Sequence, residues 1–141
     1  MNTNQHKSQI THIAQLTTPI NWTMVSFYEN LSENFIREHY DKVDWDALLE
    51  GHRFTEEFLT EFKNRFDWLD ISCTQVLSET FMCQHKDELV WEFIAQYQKL
   101  SEKFIRYFQG KLDWHDISHH QSLSDDFRGE FKGKLNNYLK I

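Results

Sequence analysis

Hydrophobic positions in this chain return on a beat of 23 residues. The phrase Leu31-Ser32-Glu33-Asn34-Phe35 comes back as Phe54-Thr55-Glu56-Glu57-Phe58, then from Leu77, Leu100 and Leu123, with no slippage. All five tryptophans, Trp22, Trp45, Trp68, Trp91 and Trp114, keep the same register. Three residues after each tryptophan stands Val25, Leu48, Ile71, Ile94 or Ile117, and one later Ser26, Leu49, Ser72, Ala95 or Ser118. Spacings of three and four place these residues on one face of a short helix. Asp44, Asp67, Asp113 and Asn21 precede four of the tryptophans and read as N-caps; Val90 breaks the pattern. The predicted element is a capped helix of about two turns.

The second half of each unit opens on Ser32, Thr55, Ser78, Ser101 or Ser124, again cap residues. Phe35, Phe58, Phe81, Phe104 and Phe127 follow, then His39, Phe62, His85, Phe108 and Phe131, and then Val43, Phe66, Leu89, Leu112 and Leu135. That spacing predicts an amphipathic helix of about three turns. The apolar residue before each cap is placed as a hydrophobic staple. The five tryptophans and the five phenylalanines after the caps are the expected core. One such helix pair cannot bury its apolar face alone, so stacking of pairs follows. The expected fold is all-α: a short α-solenoid of about five two-helix repeats. Residues 1–21 read as a lead and a degenerate first unit, with Ile13, Leu16 and Ile20 on the later columns. Residues 22–141 read as the repeat domain, ending in a polar capping unit.

Composition adds limits. At 141 residues with 40% hydrophobic and 16% aromatic content, one packed domain is expected. One Pro and four Gly are too few for a loop-rich β protein. No apolar run approaches a membrane span, the first residues are polar with no signal-peptide core, and Cys73 and Cys83 make no disulfide framework. A soluble, cytoplasmic protein is the expectation.

The net charge of −7 comes from 22 acids against 15 bases. Five acids, Glu33, Glu56, Glu79, Glu102 and Asp125, follow the Ser/Thr caps, and three more are the Asp caps. Without those eight, 14 acids face 15 bases, so the excess sits where helix starts favour it. Stacked, the first five form an acidic ladder along one edge, which can attract a basic protein groove. No basic stripe with interleaved aromatics is present, which disfavours direct binding of nucleic acid.

Candidate chemistry is thin. His115 and His119 share one helix face, with Asp116 beside them, and are weak metal candidates because no further ligand pair completes a set. Ser118, His115 and Asp116 crowd a single turn, so packing accounts for Ser118 better than a hydrolytic triad. There is no phosphate-cradling Gly loop, dinucleotide fingerprint or HExxH, so no cofactor and no enzymatic activity are expected.

The phrase Leu100-Ser101-Glu102-Lys103-Phe104-Ile105-Arg106-Tyr107-Phe108, continued by Asp113-Trp114 and Ile117-Ser118, resembles tandem 23-residue repeats of phage and giant-virus proteins. The resemblance spans about residues 22 to 135 and departs at Val90 and at His39 and His85. It implies a viral or mobile-element origin and transfers no activity. Together with size and charge, it supports a non-enzymatic protein that binds and occludes a host or phage protein. A phage-encoded inhibitor of a nucleic-acid-binding nuclease complex, anti-CRISPR-like or DNA-mimic-like, is one such form. The alternative is a scaffold that assembles with itself as a homo-oligomer.

Overall fold

The computed structural model describes residues 19–28 and 30–137. Most of the lead and degenerate unit expected over residues 1–21 lies outside them. The described residues form helices and turns with no strand, and the architecture is all-α, of the α-solenoid class, with the 23-residue helix pair as its brick. The chain divides into two compact units, Met1–Phe66 and Asp67–Ile141, and the division falls at a junction between repeats.

The first unit holds α1 (Trp22–Tyr28), α2 (Glu33–Glu38), α3 (Trp45–Gly51) and α4 (Glu56–Glu61). Helices α1 and α3 pack together. Their approach is close enough that a Cβ on Gly51 would run into the Phe27 carbonyl oxygen. Ser26 is fully buried, and its Oγ accepts the Asp44 amide at 2.9 Å. The serine column is thus more than small: its hydroxyl holds the cap of the following repeat.

The second unit holds α5 (Trp68–Thr74), α6 (Glu79–Gln84), α7 (Trp91–Tyr97), α8 (Glu102–Tyr107), α9 (Trp114–His120), α10 (Asp125–Glu130) and the short α11 (Lys132–Leu135). Here α7 packs against both α5 and α9, while α11 closes over α9 and α10. Ser72 Oγ accepts the Val90 amide at 3.1 Å, the counterpart of the Ser26 bond.

The caps form as the residue types dictate. Ser32, Thr55, Ser78, Ser101 and Ser124 each accept the backbone amide three residues on, that of Phe35, Phe58, Phe81, Phe104 or Phe127. Asp44, Asp67 and Asp113 cap α3, α5 and α9, and Asn21 Oδ1 accepts the Met24 amide. Val90 makes no side-chain cap.

Two expectations need correction. The second helix of each repeat runs six residues rather than three turns. It ends where His39, Phe62, His85, Phe108 or Phe131 turns inward onto the tryptophan, and in all five repeats a tighter turn follows, as in the Lys42 amide bonding to the His39 carbonyl. The indoles, placed in the core from sequence, are half-buried, whereas the five phenylalanines after the caps are buried. The indoles of Trp45, Trp68, Trp91 and Trp114 lie 6.1–6.4 Å from that phenylalanine in their own repeats. They lie nearer the inward-turned ring, at 4.6 Å for Trp91 and Phe108. An edge must stay near the surface so that Nε1 can reach a carbonyl, as Trp45 does to Tyr40 and Trp91 to Lys86. Lys42, Lys111 and Lys134 cover the outer faces of Trp22, Trp91 and Trp114 at 4.8–5.8 Å.

Candidate functional site

The acidic ladder is tied into the frame. Glu33 accepts both the amide and the hydroxyl of Thr55, at 2.7 and 3.0 Å. Glu79 does the same for Ser101, and Glu102 accepts the Ser124 amide at 2.6 Å. Glu33, Glu79 and Glu102 therefore each grip the cap of the next repeat. The Ser124 amide, then its hydroxyl, and then the Arg106 charge hold the Glu102 carboxyl below its ordinary pKa. Asp125 stands exposed at the end of the series. The first demand on these groups is structural, and their charge still reaches solvent.

In each unit an arginine lies beside one of these carboxylates. Arg37 donates to Glu61 at 2.8 Å and lies 5.1 Å over the ring of Phe58. Arg106 grips Glu130 through Nε and Nη2 and lies 4.8 Å over Phe127. The structure uses both bases as plugs that join one repeat to the next, and both guanidinium pKa values rise chiefly through those glutamate bonds.

A buried amide column, not predicted from the residues, joins the repeats of the second unit. Gln98 Nε2 donates to the Ser72 and Gln75 carbonyls at 3.0 and 2.7 Å, and its Oε1 accepts the Leu77 amide at 3.0 Å. Gln121 repeats the set on Ala95, Gln98 and Leu100. In the first unit the same position is His52, whose Nε2 meets the Ser26 carbonyl at 2.7 Å. The signal was present: Gln75, Gln98 and Gln121 recur at 23 residues.

The histidine candidates come together without forming a ligand set. The rings of His115 and His119 stack at 4.3 Å. His119 Nδ1 lies 2.8 Å from the His115 carbonyl, and the Ser118 hydroxyl donates to that carbonyl at 2.7 Å. Among the described residues no group of three or more His, Cys, Asp or Glu is placed to hold a metal ion. No described helix is long and apolar enough to cross a membrane. Cys73 is half-buried, and burial followed by the Asp70 carboxylate pushes its thiol pKa up. Cys83 is exposed and lines an open groove of about 640 Å³ between α6 and α8.

Large exposed side chains mark the remaining surface. Val76 is 80% exposed at a position held by Asn30, Arg53, Lys99 and Ser122 in the other repeats. Tyr107 is 77% exposed where the others carry Glu38, Glu61, Gln84 and Glu130. Tyr28 and Tyr97 are also exposed. Comparison with protein families, curated proteins and solved structures finds no match to this chain.

Proposed function

We propose that this chain is a non-enzymatic helical-repeat protein that binds and occludes a partner protein. The observation that carries the reading is the contrast between repeated and unrepeated positions. Side chains that recur every 23 residues are spent on packing, capping and bonds between repeats. Val76 and Tyr107 depart from their columns, toward apolar and aromatic character, and are the two most exposed large hydrophobic side chains among the described residues. Exposed aromatics on a rigid frame are the kind of group that anchors protein interfaces. Within each unit the edge acids, Glu33 and Glu56 in the first and Glu79, Glu102 and Asp125 in the second, add a negative field that speeds the approach of a basic groove. With the viral resemblance, this favours a host or phage protein that itself handles nucleic acid, such as a nuclease complex.

The test is affinity capture from a cell lysate with the intact chain and with the Val76→Asn/Tyr107→Glu double variant, both checked for folding by circular dichroism. A protein retained by the first and lost from the second supports the reading. An identical set of captured proteins overturns it. For the captured partner, the association rate is expected to fall several-fold between about 0.05 and 0.5 M salt.

A self-assembling scaffold draws on one observation. Met24 and Tyr28 are exposed, while Ala47 and Asp116, at the repeat position of Met24, are buried. A strict monomer by light scattering at high concentration excludes that form.

A further inference from the structure

In two places the chain fills one kind of slot with its own arginine. Arg37 covers Phe58 of the next repeat, pairs with Glu61 at 2.8 Å and lies 3.9 Å from Glu33. Arg106 covers Phe127, pairs with Glu130 at 2.8 Å and lies 4.0 Å from Glu102. Each slot has an aromatic floor, an edge carboxylate that also grips the next cap, and a guanidinium plug. Between the third and fourth repeats the floor and the edge remain, as Phe104 and Glu79. The plug does not: Cys83 stands at the position of Arg37 and Arg106, and Tyr107 at that of Glu61 and Glu130. The space left is the groove of about 640 Å³. Its floor shows the loss: Phe104 is 4% exposed, whereas Phe58 and Phe127 under their arginines are at 0%.

We infer that this groove takes an arginine side chain of a partner protein, its guanidinium lying over Phe104, flanked by Tyr107 and turned toward Glu79. A guanidinium is planar and weakly hydrated, and it stacks on aromatic faces, which an ammonium does less well. The replacement of an acid by Tyr107 exchanges a carboxylate partner for a second aromatic face. Glu79 keeps its grip on Ser101, as Glu33 and Glu102 keep theirs while sitting beside an arginine. Two bases border the groove. Arg106 is neutralised by Glu130 and Glu102. Lys103 stands where the sister slots have Glu57 and Asp126, and it weakens the site for a cation. The assignment rests on the chain being a protein-binding repeat and names the chemistry of one contact in that interface.

The test reads Cys83 alkylation by iodoacetamide in the full chain, resolved from Cys73 by peptide mass. The added probes are ethylguanidinium, ethylammonium and benzyl alcohol, each titrated below denaturing concentrations. Ethylguanidinium is expected to slow Cys83 alkylation saturably, by roughly five-fold or more, with ethylammonium far weaker. Lys103→Glu is expected to lower the ethylguanidinium midpoint by about three-fold or more. Equal protection by ethylammonium, stronger protection by benzyl alcohol, no protection, or an unmoved midpoint in Lys103→Glu each overturns the assignment. The Cys83→Arg/Tyr107→Glu variant rebuilds the plug and is expected to lose at least about ten-fold in affinity for the captured partner. Unchanged affinity there also overturns the slot, but leaves partner binding through the rest of the surface standing. A chain that captures no partner at all overturns the broader reading instead.

Discussion

Two columns of side chains cross from repeat to repeat within residues 67–141, and they make the same kind of bond in opposite surroundings. Gln98 and Gln121 are buried and satisfy backbone groups that water cannot reach. Glu79 and Glu102 sit at the edge and hold the amides of Ser101 and Ser124, which are exposed. A buried backbone group deprived of its partner loses the full value of desolvation, whereas an exposed one turns to water. The inner column should therefore carry stability, and the outer column should carry geometry and charge. The amide also suits the inside for a second reason: glutamine donates and accepts without bringing a charge into the core.

The largest effect expected from this contrast is at Gln98. Gln98→Leu strands the Leu77 amide and the Ser72 and Gln75 carbonyls, and should destabilise the fold by about 3–5 kcal/mol in chemical denaturation. A loss below about 1 kcal/mol would show that solvent reaches the inner column and would erase the distinction. Ser101→Ala should cost about 1 kcal/mol, because it removes the cap of α8 while leaving Glu79 its bond to the backbone amide. Glu79→Gln keeps an acceptor in place and should shift stability by no more than about 0.5–1 kcal/mol. An effect as large as that of Gln98→Leu would place both columns on the same footing. The smallest effect concerns acid. Glu102 is held below its ordinary pKa in the fold, so its contribution is full above the unfolded value, about 4.3, and is lost as pH falls through the depressed folded value. The denaturation midpoint should decline as pH drops below about 4, and Glu102→Gln should make that decline shallower.

Much of this could be read from the residues. Asp44, Asp67 and Asp113 announce helix starts because a carboxylate before an apolar-periodic run has orphan amides to satisfy. Phe35, Phe58, Phe81, Phe104 and Phe127 announce the core because they keep one face at one period. The groove did not announce itself. Cys83 and Tyr107 are ordinary residues in their own helices, and their meaning depends on what Arg37 and Arg106 do one repeat away. The same holds for Gln98, whose three partners lie 21 to 26 residues earlier in sequence.

By itself the sequence determined the brick: its length, its two capped helices and its apolar columns. These follow from local chemistry, in caps and helical spacing, that acts within a few residues. Tertiary structure alone decided how bricks are joined. It set glutamine inside, glutamate outside, arginine plugs at two seams and an open groove beside Cys83. Those choices depend on which surfaces lose water when repeats meet, and that burial exists only once the chain has folded.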